Sequence, residues 1–134
     1  MLDPTQPQSL TFPQSRRIKA PAEFDRVYAR KRSASDAVLI VYACENTLGH
    51  PRLGCSVSRK VGGAVIRNRY KRLFREAFRL NQHELPVGVD LIVIPRPGPE
   101  PTLEMVRQSL VKLARQAARR LVQPSSVPRP PRPI

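Results

Sequence analysis

Tryptophan is absent, and cysteine and histidine occur only twice each. The chain is therefore poor in the residues that hold metals or carry proton transfer. Cys44 and Cys55 are too far apart for a zinc knuckle and too few for a disulfide framework, so each reads as a small buried strand residue. His50 and His83 are also distant in sequence, and a zinc site built from these four is not expected. Acids are scarce, with Asp plus Glu at 10, and scattered. A protein nuclease would want paired carboxylates around metal ions or a histidine-based acid–base pair. No catalytic side chain is expected. No run reaches the roughly 18 apolar residues of a membrane span. The segment MLDPTQPQSLTFPQS has neither a basic start nor an apolar run, so a secretory signal is not expected and a cytoplasmic location is.

What the chain has is positive charge. Lys plus Arg is 24, and the formal net charge is +14 over 134 residues. Such a charge repels itself unless a polyanion offsets it, which points to RNA, DNA or an acidic membrane surface. A solvated basic tail would not carry 40% hydrophobic residues in ordered patterns. The length suits one domain with a modest core. We expect that domain over residues 16–122. Residues 1–15 read as a flexible lead-in, and the proline-rich basic segment 123–134 reads as an extended tail. PRPPRP could also serve a proline-recognition domain, but nothing else suggests signalling.

Between these ends the patterns are clear. Ala20-Pro21-Ala22-Glu23 opens a helix, with Pro near its first turn; Phe24, Val27, Tyr28 and Lys31 follow at helical spacing. AVLIVYAC, residues 37–44, predicts a buried strand. Asn46 to Pro51 is a turn. Leu53, Cys55 and Val57 alternate with small residues and predict a second strand, for which a hairpin with the first is the simplest pairing. Gly62-Gly63 breaks the pattern before a helix from about Ala64 to Leu80. VDLIVI, residues 89–94, is a strand ended by a run of prolines. A last helix spans about Thr102 to Val122, with Thr102 as N-cap and Val106, Leu110, Leu113, Ala117 and Leu121 as its buried stripe. A further short strand could lie around Arg32 to Asp36. This order predicts a two-layer α/β domain with helices on one sheet face.

The densest feature is VIRNRYKRLFREAFR, residues 65–79. On a helix, Ile66, Tyr70, Leu73, Phe74, Ala77 and Phe78 fall on one side, and Arg67, Asn68, Lys71, Arg72, Arg75 and Arg79 on the other. Five arginines stand against one lysine and one acid, Glu76. A merely solvated face would mix signs and use lysine as often. Arginine's planar fork grips phosphates bidentately and stacks on bases. Arg59, Lys60, Gly62 and Gly63 just ahead extend the basic segment and allow close approach of RNA. The spacing of a nucleotide-binding glycine loop is absent. A DNA reader usually shows a helix-turn-helix or a dimer seam, and neither is visible. Phe24, Tyr28 and Tyr42 suit an unpaired nucleotide strand, although each ring singly could be core.

SVSRKVGGAVIRNRYKRLFREAF, Ser56 to Phe78, resembles the signature of the protein component of bacterial ribonuclease P, and the similarity extends over roughly Arg16 to Leu121. One departure is Gly63, where the family often has Asn, which puts a side-chain hydrogen bond there in doubt. The resemblance implies a ribosomal protein S5 domain 2-like two-layer α/β (α+β) sandwich of order α-β-β-β-α-β-α, with a left-handed β-α-β crossover. It implies a subunit of an RNA-catalysed nuclease that hydrolyses the 5′ leader from precursor transfer RNA, using Mg2+ bound mainly by the RNA subunit. The implied partners are the ribonuclease P RNA and precursor tRNA, with no membrane and no obligate protein partner. Carried over, Arg59, Lys60, Arg67, Asn68, Arg69, Lys71, Arg72 and Arg75 would bind the RNA subunit. Phe24, Tyr28, Tyr42, Ser56 and Lys60 would bind the substrate leader. A ribosomal protein or general RNA chaperone explains the charge and fold as well, but not the long match. A stand-alone nuclease or a peripheral membrane protein fits less.

Overall fold

The computed structural model describes residues 12–122. Helix α1 is Pro21–Arg30, followed by strands β1 (Ser33–Ser35), β2 (Leu39–Glu45) and β3 (Arg52–Cys55). Helix α2 is Ala64–Asn81, strand β4 is Val89–Pro95 and helix α3 is Leu103–Val122. The α/β sandwich and its element order are those expected, including the short strand before Asp36.

The pairing of the strands differs from the simple hairpin. The sheet order is β1-β2-β4-β3. β4 pairs antiparallel with β2 and parallel with β3, so β2 and β3 never meet. The reason lies in β4 itself, whose first five residues are all buried. A strand buried on both faces belongs in the middle of a sheet, and the four-residue β3 makes a short outer strand. β3, α2 and β4 thus form a β-α-β unit.

Strand alternation gives the sheet two apolar faces. Leu39, Val41, Ala43, Leu53, Leu91 and Val93 face the main core with Phe74, Phe78, Val106, Leu110 and Leu113 of α2 and α3. Every residue of the expected α3 stripe is buried, and Met105 N–H donates to the Thr102 hydroxyl at the expected cap. The opposite face holds a smaller cluster of Val27, Cys44 and Ile92, with Phe24, Tyr28, Tyr42 and Ile94 half-buried beside it. The expectation of helices on a single face is corrected here. α1 buries only Val27 fully, because its apolar stripe is short, and it needs just the second face.

The boundary of the lead-in is also corrected. Residues 12–15, placed there by their prolines and polar residues, belong to the folded unit: Phe12 packs on Phe78 at 5.0 Å between ring centroids, and the Arg17 guanidinium stacks on Phe12 at 4.6 Å. Gln14–Arg16 form a 3-10 turn. A lone aromatic between prolines gives no periodicity, so this anchor is silent in sequence. Residues 1–11 and the tail 123–134 lie outside the described residues.

α3 is tied to the β1–β2 turn by Asp36. Its carboxylate accepts from the N–H groups of Val38 and Leu39 at 2.8 and 3.0 Å, from the Ser109 hydroxyl at 2.8 Å and from Lys112 at 3.0 Å. Burial pushes this carboxyl up, but those bonds together outweigh it and lower it from 3.8 to about 2. At about 1.4 kcal/mol per tenfold change in proton affinity, the shift contributes on the order of 2 kcal/mol. A depressed carboxyl stabilises the fold above its unfolded value, and that stability is lost as pH falls through its folded value. Asp36→Asn should therefore lower stability at neutral pH and flatten its fall between about pH 4 and pH 2. Urea titrations of both proteins across that window check this; identical pH profiles would refute it. Phe12→Ala should cost about 2 kcal/mol in the same assay through the lost aromatic packing.

Candidate nucleic-acid interface

The site is built on the less covered sheet face and the adjoining edge of α2. Across that face the strands align side chains in rungs. Cys44, Asp90 and Arg52 form one; Tyr42, Ile92 and Gly54 form the next; Ile40 and Ile94 form a third. α1 crosses the first two. Its N-terminal end meets β3, where Phe24 packs on Gly54 so closely that an added Cβ would stand 2.9 Å from the ring. Farther along, Tyr28 meets Tyr42 of β2 edge-on, at 5.0 Å between centroids. Only glycine at position 54 lets the Phe24 ring lie that near the sheet. Phe24, Tyr28 and Tyr42 are all half-buried and share one cluster.

Phe24 also lines a groove of about 340 Å³ with Arg17, Lys19, Cys55, Lys71 and Arg75. The structure thus joins one predicted cleft ring to two cations predicted for the RNA subunit. Arg17 and Lys19 were missed, because they precede the first helix in a segment without periodicity; the run Arg16-Arg17-Ile18-Lys19 was the available signal. The Arg17 Nε is buried and has no hydrogen-bond partner among the described residues. Burial pushes the Cys55 thiol up to about 11 despite the nearby charges of Arg75, Lys71 and Arg17. It is neutral at physiological pH and adds no negative charge to the groove.

Lys60 lies apart from Phe24. It lines a second groove of about 360 Å³ with Ser58, Tyr70, Pro95, Arg96 and Gly98. Arg59 and Lys60 sit exposed in the turn before α2, which is braced by Val61 N–H and Lys60 N–H donating to the Ser58 carbonyl and hydroxyl. Ser56 is half-buried just beyond β3, its N–H donating to the Val93 carbonyl, and lines neither groove. Arg96 was another missed cation, isolated in sequence between Pro95 and Pro97.

Along α2 the amphipathic split is as expected for Tyr70, Phe74, Ala77 and Phe78, which are buried. Ile66 is exposed instead, packing under Gly62, where a Cβ would meet it at 2.9 Å, and not against the sheet core. Gly62 has φ +156°, a backbone suited to glycine. Gly63 is the N-cap and supplies no side-chain bond to the helix, so the bond an Asn could make there is missing.

The cations differ in their commitments. Arg67 donates to the Gly62 carbonyl at 3.3 Å, and Arg69 pairs with Glu100 at 2.5 Å. Arg79 pairs with Glu76 at 2.7 Å. Among the described residues, no carboxylate pairs with Arg59, Lys60, Lys71, Arg72 or Arg75. Asn68 is exposed in the same row.

A helix edge of unneutralised cations beside half-open aromatic rings defines an RNA-binding protein of the α/β sandwich class. The comparisons agree. The family profile described as Ribonuclease P matches residues 12–118, and the chain belongs to that family. The ribonuclease P protein component of Brevibacillus brevis is 42% identical over 106 residues, covering 77% of this chain and 83% of that protein. That of Photorhabdus laumondii is 44% identical over 90 residues, covering 66% and 75%. Among solved structures, the Staphylococcus aureus RNase P protein superposes with a TM-score of 0.65 at 38% identity, covering 75% of this chain and 93% of that one. The Thermotoga maritima protein gives 0.66 at 32%, covering 72% and 92%. The chain is a protein subunit of the ribonuclease P ribonucleoprotein. No helix among the described residues is long and apolar enough to cross a membrane.

The two sides of α2 should separate cleanly in mutants. Phe74, 1% exposed, should cost about 3–5 kcal/mol of folding stability on change to Ala. Arg72→Ala should alter stability by less than about 0.5 kcal/mol, yet reduce the salt dependence of RNA binding by roughly one unit of slope. Affinity measured against salt concentration, beside a thermal melt, tests both. An unchanged slope for Arg72→Ala would mark this row as a solvated face.

Proposed function

We propose that the chain binds the catalytic RNA of ribonuclease P and the 5′ leader of precursor tRNA, and so assists hydrolysis that yields the mature tRNA 5′ end. The observation that carries this reading is the groove where Phe24 meets Lys71 and Arg75 with no carboxylate opposing them. A single strand fits such a place, with a base against the ring and phosphates against the cations. Arg59, Lys60, Arg67, Asn68, Arg69 and Arg72 then serve the RNA subunit. Phe24, Tyr28, Tyr42 and Ser56 serve the leader, with Lys60 at its edge. Lys71 and Arg75 lie where both RNAs could meet. Arg69 must exchange Glu100 for phosphate, a small cost for an exposed pair.

The bond cleaved is a phosphodiester, and attack on it concentrates negative charge among phosphates. The chain's contribution is to hold the two RNAs together by neutralising their repulsion and to keep the leader extended. Magnesium does not fit these residues. Guanidinium and ammonium groups cannot ligate it, and no group of three or more His, Cys, Asp or Glu converges among the described residues. We assign the ion to the RNA subunit, where it would supply the charge for hydrolysis. The subunit acts in the cytoplasm, with its RNAs as partners.

Reconstitution with the RNA subunit at low magnesium, scored for cleavage at the mature 5′ end, tests the function. Phe24→Ala should weaken binding of leader-bearing precursor by about 1–3 kcal/mol, with little effect on mature tRNA. Equal losses on both RNAs would place the leader elsewhere.

A further inference from the structure

α1 is held to the sheet by a small apolar cluster and by a dense set of ion pairs. Only Val27 is fully buried, whereas one flank of the helix carries Glu23, Arg26 and Arg30 at spacings of three and four, a single polar edge beside the aromatic stripe. That edge meets the first rung of the sheet. Asp90, 0% exposed, accepts from Arg52 Nε at 2.8 Å and Nη2 at 2.6 Å, from Asn46 at 2.8 Å and from Arg26. The third branch of the Arg52 fork reaches back to Glu23 at 3.1 Å. Arg26 also donates to the Glu45 carbonyl at 2.8 Å, and Arg30 grips the Glu45 carboxylate through two bonds of 2.9 and 2.8 Å.

These bonds fix the roll of α1 as well as its place. Glu23 is adjacent to Phe24, and its bond to Arg52 acts one rung away from Gly54, on which that ring rests. Val27, Phe24 and Tyr28 hold α1 on the sheet through apolar contacts, and the ion pairs along its polar edge add the directional bonds that fix its rotation about its own axis. We infer that Glu23 and Arg52 are positioning residues for substrate reading: the Glu23–Arg52–Asp90 chain sets the angle of α1 and thereby how Phe24 and Tyr28 meet the precursor's single-stranded leader. This rests on the proposed seat of the leader in that cleft.

The sign of the effect makes the inference testable. Glu23 is an acid within an RNA-binding surface, and its side chain is 36% exposed. Removing its charge should strengthen RNA binding on electrostatic grounds alone. A positioning role predicts the reverse, and only for RNA with a leader. In the reconstituted holoenzyme, Glu23→Gln should bind leader-bearing precursor about 5- to 10-fold more weakly, part of one ring's stacking energy, with mature tRNA unchanged or slightly tighter. Arg52→Lys keeps the charge opposite Asp90 but loses the fork, and should shift the same ratio. Thermal melts confirm that each variant is folded at the assay temperature, and Glu23→Gln carries the test if Arg52→Lys is not. Leader dependence equal to that of the unmodified protein in Glu23→Gln would overturn the inference. Phe24→Ala run alongside separates the two ideas: if it also leaves leader dependence intact, the cleft reading fails; if it alone abolishes it, only the positioning role fails.

Discussion

Disposal of like charge is the constraint on which the rest of this structure depends. With a net charge of +14, the fold cannot place its cations at random. Among the described residues, seven acids, Glu23, Asp36, Glu45, Glu76, Asp90, Glu100 and Glu104, form ion pairs with arginine or lysine. Most of these pairs lie at joints: α1 to the sheet, α3 to the β1–β2 turn, α2 to the loop before α3. On α2 ahead of Glu76, Arg69 alone is paired with an acid among the described residues, and its partner Glu100 comes from that loop. The acids thus hold the elements together where arginines are structural. The edge from Arg59 to Arg75 is left with a repulsion that only an external polyanion relieves.

The buried Asp90 is the extreme case. Burial pushes its carboxyl up, but the bonds from Arg52 and Asn46, with the charges of Arg52 and Arg26, outweigh this and hold it below the usual range. Hydrogen bonding to Asp90 and Glu23 in turn raises Arg52. Such a pair adds little net stability over apolar packing, whereas loss of one partner strands a charge in the interior. What it supplies is direction, since a carboxylate satisfied by three side chains admits few other arrangements. Apolar packing by Val27 and its neighbouring rings is less directional than these bonds.

Much of this was legible in the sequence. The α2 and α3 stripes could be read because a helix against a sheet must repeat its apolar residues at its own period. The row from Arg67 to Arg75 was legible because so one-sided a charge has few uses. The pairing of β2 and β3 was misread, since periodicity reports which face a residue takes and says nothing of which strand lies beside it. β4 won the central place because it is apolar on both faces, a fact about the whole sheet. Phe12 and Arg17 escaped because they act singly. The uses of Arg26, Arg30 and Arg52 could not be told from those of Arg72 and Arg75. In sequence each is one more cation, and only the placement of the acids distinguishes them.

The geometry of α1 explains why the open site lies where it does. β2 and β4 have seven residues each, or about 23 Å at ~3.3 Å per residue. A helix with its side chains is about 10–12 Å wide. α1 runs across the strands, from Arg52 and Gly54 on β3 to Tyr42 and Glu45 on β2. It therefore covers only about half their length. The first rung is sealed by ions and the second by Val27 and the aromatic rings. The third, Ile40 and Ile94, stays half-buried. A second crossing helix would close that face and complete a conventional three-layer domain. Without one among the described residues, the apolar strip of Ile40 and Ile94 stays partly open on the face that also carries Phe24, whose groove is lined by Lys71 and Arg75. Water suits such a strip poorly, and a protein partner would have to bring its own negative charge. A nucleotide strand brings flat apolar bases and regularly spaced phosphates together, and so matches both halves of the surface at once.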